Sequence, residues 1–251
     1  MIFLSHQYID MKTILLCLCC MAVLTVTAQT TINRSYPVTA GQKVAFVFDY
    51  PKTVRVSTWD KNEVQVTAHV SINDGENDTA FVLNDQTADG VLTISNKIKN
   101  MKDLPKRYTV IEDGKKTVFR SRDDYKAFTS TMGSNHRITS SGIDMEITVE
   151  VKMPANITAD IKATYGMVEL VNFRTPATVN ATYGGIDATV SPANTGKLQV
   201  TTHYGQIYSN LDLKITDKTE KDFFTSLTAE PGKGPAYILQ STYGNLYLRK
   251  Q

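Results

Sequence analysis

Two carboxylates, Glu169 and Asp187, stand at the same place in a recurring phrase, three residues after the glycine of a Tyr-Gly pair. Paired carboxylates carry out glycoside hydrolysis, one as acid and the other as base or nucleophile. That chemistry needs the two close enough to drive their pKa values apart. The equivalent place in two further copies holds Tyr208 and Tyr247, an aromatic pair suited to a glycan or protein contact. No Arg, Lys or His occupies this place in the four copies. The plainer reading of Glu169 and Asp187 is therefore two solvated acids that repel mildly.

Other chemistries find less support. His69, His136 and His203 are far apart and none lies in a metal-spaced motif. No HExxH, phosphate-binding glycine loop or serine-nucleophile elbow occurs. The loop Asn73-Asp74-Gly75-Glu76-Asn77-Asp78 is rich in oxygen but lacks the alternating spacing of a calcium loop, and reads as a solvated acidic turn. The expectation is a chain without catalytic centre, metal or cofactor.

The elements that carry these residues are set by repetition. The phrase occurs as Ala163-Thr164-Tyr165-Gly166, Ala181-Thr182-Tyr183-Gly184, Thr202-His203-Tyr204-Gly205 and Ser241-Thr242-Tyr243-Gly244. The intervals between glycines are 18, 21 and 39 residues, the last about two periods. Such spacing predicts an all-β, stacked, solenoid-like architecture. Before each Tyr-Gly every second residue is apolar or small, as in Ile161, Ala163 and Tyr165. After it the alternation resumes one residue out of step, as in Val168 and Leu170. A one-residue shift turns a strand over. Its recurrence in all copies predicts a built-in corner where glycine permits a bend or close approach. Stacking would gather Tyr165, Tyr183, Tyr204 and Tyr243 into a column of rings that fixes the corner, with Tyr243 about one rung removed.

Phe46, Phe48, Tyr50, Val54 and Val56 read as a degenerate fifth copy with a longer corner. Ile143 to Met153 alternates without a gap and predicts a long strand ending at Pro154. Residues 97–140 break the pattern. They read as a surface insertion too polar for its own core, with a hairpin closed at Asp113-Gly114, one or two helical turns from Arg122 to Thr131, and a mobile Ser/Thr/Gly-rich stretch from Ser130 to Ser141. A second insertion spans about 216–234, with Phe223-Phe224 as its only apolar anchor. Because the chain stops directly after a strand, the C-terminal rung is expected to be covered by that insertion or by another chain, a route to a homo-oligomer.

Residues 11–28 have the charged start, apolar run and small-residue end of a secretory signal, and 1–10 resemble a mis-assigned start. The run is too short to span a bilayer, so the membrane enters only through this leader. Cys17, Cys19 and Cys20 all lie inside it, leaving the mature stretch 29–251, read as one domain, without thiol or disulfide chemistry. Its location is extracytoplasmic: periplasm, outer-membrane surface or medium. Basic and acidic residues nearly balance, 27 against 25, and no basic stripe exists, which argues against a nucleic-acid partner.

Trp59-Asp60-Lys61-Asn62-Glu63-Val64, the strand ending at Met153-Pro154 and the Tyr-Gly units together resemble an exported bacterial family of β-strand-repeat adhesins. It is a domain-of-unknown-function group similar to head-GIN auto-transporter adhesin domains. The likeness covers roughly 35–70 and 143–251. It implies a right-handed, single-stranded β-helix-like fold and carries over no catalytic or binding residue. The sequence thus points to a non-catalytic, contact-making chain, an adhesin or cell-envelope scaffold, with a glycan or an envelope protein as partner. The alternatives are a polysaccharide-active β-helix enzyme and an envelope-signalling accessory.

Overall fold

The computed structural model describes residues 29–131 and 137–251. The expected leader, with Cys17, Cys19 and Cys20, falls within residues 1–28, and these residues and His136 lie outside the described ones. The described chain is all-β apart from one short α-helix and three 3-10 turns. Its strands form sheets of eight, nine and three members.

Five units make the framework. Each has one strand in the nine-stranded sheet, a corner, and one strand in the eight-stranded sheet. They are β2 (Lys43–Phe48) with β3 (Thr53–Trp59), β11 (Ala159–Ala163) with β12 (Met167–Leu170), β13 (Ala177–Ala181) with β14 (Ile186–Val190), β15 (Lys197–Thr202) with β16 (Ile207–Ser209), and β19 (Ala236–Ser241) with β20 (Leu246–Lys250). Equivalent strands pair parallel and in register. Phe46, Ile161, Val179, Leu239 and Val200 align in one sheet. Val54, Val168, Ile186, Leu246 and Ile207 align in the other. Parallel pairing needs a long crossover; here each strand of the opposite sheet belongs to that crossover. The inward residues of both sheets merge into one hydrophobic core. Burying each large apolar side chain contributes about 1.5–3 kcal/mol.

One expectation is corrected by the order of the units. The chain does not stack them in sequence: β19 and β20 lie between the β13–β14 unit and the β15–β16 unit. The C-terminal strand is thus internal, paired to β14 on one side and β16 on the other. The end of the stack is the preceding rung. In the nine-stranded sheet the hairpin β17 (Ile215–Lys221) and β18 (Phe224–Ala229) covers β15 antiparallel. That hairpin is the second insertion. Its anchors are not the expected Phe223-Phe224: Leu227 packs against the core and Ala229 is buried, while Phe223 is exposed and Phe224 contacts His203. In the eight-stranded sheet the edge is β16, only three residues long, which limits what could pair with it.

At the other end β10 (Met145–Pro154), the expected long strand, runs parallel to β3 and antiparallel to β4 (Glu63–Ile72), which pairs with β1 (Thr30–Pro37). The hairpin β5 (Phe81–Ala88) and β6 (Val91–Ile98) extends the other sheet beyond β2. The first insertion forms the small sheet. Its β7 (Arg107–Glu112) pairs β8 (Lys115–Phe119) across the expected turn, with Asp113 and Gly114 at φ 49° and 77°. Helix α1 (Arg122–Ser130) follows, and its first turn is capped by Ser121 Oγ accepting from the Asp124 amide. Stacked rings Tyr108 and Tyr125 and the contact of Phe119 with Phe128 give this block a local aromatic core that its polarity did not suggest. Part of the stretch expected to be mobile is a strand, β9 (Arg137–Gly142), paired with β7.

Candidate functional site

The corner is built on glycine because another rung's backbone occupies the space a side chain would need. A Cβ on Gly184 would sit 1.9 Å from the carbonyl oxygen of Gly166, and one on Gly244 would sit 2.1 Å from that of Gly184. Gly205 meets the Gly244 oxygen at 2.0 Å, and Gly166 meets that of Pro51 at 2.0 Å. None of the four has a positive φ, so the requirement is close approach, not a left-handed backbone. The hydrogen-bond ladder continues through the bend: the amides of Tyr183, Tyr243 and Tyr204 donate to the carbonyls of Thr164, Thr182 and Thr242. Beneath the last two corners the buried hydroxyls of Ser241 and Thr202 each accept from the glycine amide of their own corner and donate to the glycine carbonyl of the rung before. This explains why hydroxyl residues replace Ala163 and Ala181 there.

The tyrosines crest this bend. Their sequence parity matched the buried residues, but the corner turns them outward: Tyr165, Tyr183, Tyr243 and Tyr204 are each 51–58% exposed. The rings form one ladder in the order Tyr50, Tyr165, Tyr183, Tyr243, Tyr204, Phe223, with centroids 5.0–5.6 Å apart. The four steps among tyrosines have interplanar angles of 7–21°. Rings stacked this way cover each other's faces and present edges and phenolic hydroxyls. None of these five hydroxyls has a protein partner among the described residues. Five steps of about 4.8 Å make a strip on the order of 24 Å long. Both ends rest on unusual backbone: Tyr50 has φ 74° and Phe223, 73% exposed, has φ 59°. Bulky residues seldom adopt such angles, and the cost is about 1–3 kcal/mol.

The carboxylates lie on the outer face of the eight-stranded sheet. Strand register aligns Arg55, Glu169, Asp187, Tyr247 and Tyr208 in one row. Glu169 and Asp187 are therefore direct neighbours, as expected. Neither is free. Arg55 reaches Glu169 through Nε at 2.8 Å and its terminal nitrogen at 2.7 Å. Arg249, two residues beyond Tyr247, donates from Nε to both oxygens of Asp187 at 2.8 and 2.9 Å. These bonds hold both guanidinium pKa values above their ordinary range. The expectation that no cation joins these acids is corrected. Arg55 was legible, since it falls between Val54 and Val56 as Glu169 falls between Val168 and Leu170. Arg249 comes from the next strand position and no column argument reaches it. Tyr208 and Tyr247 do pair, 5.3 Å apart and nearly parallel, and Arg249 lies over the Tyr247 ring.

The remaining candidates do not gather. His69 meets the hydroxyl of Thr31, and His203 contacts Phe224 edge to face at 5.2 Å. The acidic loop is not a solvated turn. Buried Asp78 accepts from the amides of Ile72 and Thr30, Glu76 is held by Arg107 at 2.6 Å and also by Arg120, and Asn73 bonds Asn77, the Pro105 carbonyl and the Asp144 amide. Its oxygens fold the loop. On the opposite edge of the stack a cavity of about 430 Å³ is bordered by Phe173 and Tyr237. There the Tyr237 hydroxyl donates to the Phe173 carbonyl, and burial pushes its pKa up to about 12.

No protein-family model and no curated protein matches the chain. Among solved structures, a putative cell adhesion protein from Clostridium sporogenes aligns over 89% of this chain and all of its own, at 7% identity and a TM-score of 0.49. A putative adhesin from Bacteroides fragilis aligns over 90% of this chain and 99% of its own, at 10% identity and a TM-score of 0.20. Neither likeness carries fold detail or activity across.

Proposed function

We propose that this chain is an exported, non-catalytic contact protein of the cell envelope, an adhesin or scaffold built as a right-handed β-solenoid. The carrying observation is the six-ring ladder, whose rings beyond the half-buried Tyr50 (Tyr165, Tyr183, Tyr243, Tyr204 and Phe223) are exposed. Contiguous exposed aromatic surface marks an interaction site. Rings already ordered by a rigid backbone lose little freedom when a partner docks. In-register parallel strands and repeated Tyr-Gly corners support the solenoid reading, and the leader-like sequence of residues 11–28 supports export. The paired state of Glu169 and Asp187 favours contact over hydrolysis, since each is engaged by an arginine.

The test is retention of the purified 29–251 chain on intact cells and isolated envelopes. A variant with Tyr165, Tyr183 and Tyr243 all changed to Ser should lose retention while staying folded. Equal retention by wild type and variant removes the ladder from the proposal. Hydrolysis of a glycan panel that disappears in Glu169→Gln replaces the proposal with the enzymatic alternative.

A further inference from the structure

We infer that the outer face of the nine-stranded sheet, beside the ladder, holds a binding groove for a neutral linear oligosaccharide. The inference rests on the contact-protein reading and names the ligand class. The groove encloses about 410 Å³. Its floor is one register row across four strands: Asn180, Gln240, Thr201 and Ser226. Thr182, Thr242 and His203 follow as the next row toward the tyrosines, and Phe224 closes the end against His203.

Three features select the ligand. The first is charge: no Asp, Glu, Lys or Arg lines the groove, whereas ion pairs crowd the outer row of the other sheet. The nearest charge in the floor row is Lys162, in register with Asn180 on β11 and outside the groove. A carboxylated or phosphorylated ligand finds no fixed counter-charge in the lining, where His203 is the titratable side chain. The second is hydrogen-bond capacity. The amides of Asn180, Gln199 and Gln240 and the hydroxyls of Thr182 and Thr242 line the groove, and none has a side-chain partner among the described residues. Side-chain amides and hydroxyls both donate and accept, which suits the vicinal hydroxyls of a sugar. The third is periodicity. The strands bring one polar group every ~4.8 Å along the stack, close to the length of one unit in a β-linked pyranose chain. A repetitive polyol therefore meets a repetitive floor. At the end, the edge-to-face pair of His203 and Phe224 leaves ring surface uncovered, unlike the ladder rings, and such surface accepts the C–H face of a sugar.

The experiment is calorimetric titration of the 29–251 chain with neutral linear hexasaccharides (β-1,4-glucan, β-1,3-glucan and β-1,4-mannan), with hexagalacturonate as the charged comparator. Saturable binding of at least one neutral hexasaccharide is expected, with hexagalacturonate weaker. Gln240→Ala and Phe224→Ala should each weaken it about tenfold, the effect of losing one good polar or aromatic contact. Asn180→Ala, at a half-exposed site, provides a second floor variant should Phe224→Ala fail to fold. Absence of binding to every neutral hexasaccharide, preference for hexagalacturonate, or unchanged affinity in the folded variants overturns the groove. Envelope retention separates the two readings. Loss in the tyrosine variant with none in Gln240→Ala rejects the groove and keeps the contact surface. Loss in neither rejects both.

Discussion

Glycine and tyrosine stand side by side in every copy of the repeat, yet the fold treats them oppositely. The glycine column is packed against backbone, with no room for a single methyl group. The tyrosine column, one residue away, is half exposed, and its rings touch mainly one another. Repetition in the sequence is identical for both. A repeated residue can therefore mark either a steric demand of stacking or a surface that the stacking displays. The physical discriminator is what a substituted side chain would meet.

The largest break in that comparison is Gly184→Ala. Its methyl carbon would lie inside the carbonyl oxygen of the rung before. The backbone would have to open and lose ladder bonds on both sides of the corner. The expected cost is about 3–5 kcal/mol, at the upper end of single substitutions. Denaturant unfolding checks it, and a loss below about 0.5 kcal/mol would mean that the corner tolerates a side chain.

Tyr183→Ala comes next and tests the other column. The ring has stacked neighbours at 5.3 and 5.2 Å, and such pairs contribute about 0.5–1.5 kcal/mol each beyond area burial. With one side open to water, a total of about 1–2 kcal/mol is expected. A loss above 3 kcal/mol would place the ring in the core and erase the distinction between the columns.

Much of this was legible because period two and the repeat interval act locally. The five units, the corner, the long strand Met145–Pro154 and the Asp113-Gly114 hairpin follow from residues near one another in sequence. Most of what escaped involves distant chain segments. The interchange of the last two rungs depends on how the 216–234 hairpin leaves β16 and returns to β19, and no periodicity records it. The outward turn of the tyrosines was hidden because the corner changes parity at the residue before the glycine. Arg249 meets Asp187 across adjacent strands with a two-residue offset, which alignment of equivalent positions cannot show. The groove is likewise assembled from four strands whose individual residues, Asn180, Gln240, Thr201 and Ser226, form no motif.

A smaller effect is expected in the charged row. Arg249→Ala removes a two-point contact to Asp187, but the Arg249 side chain is 57% exposed. Exposed pairs contribute little and weaken with salt. The difference between wild type and variant should therefore shrink from low to high ionic strength in thermal unfolding. A difference that persists at 1 M salt would show that the guanidinium stabilises mainly through its packing on Tyr247.

The finest test uses the ladder's end, where the two columns part completely. Phe223 holds φ 59° in a hairpin turn, and its ring is 73% exposed against Tyr204. A residue kept in a costly conformation to expose an aromatic ring has no evident purpose in folding. Phe223→Gly relieves the backbone, worth about 1 kcal/mol where the native angle suits glycine. It also gives up one tilted ring contact of about 0.5–1.5 kcal/mol and adds freedom to the unfolded chain. The terms nearly cancel, so Tm should hardly move. Retention on envelopes should fall, because the strip loses its terminal ring. A marked drop in Tm with unchanged retention would assign Phe223 to hairpin stability and shorten the contact surface to the tyrosines.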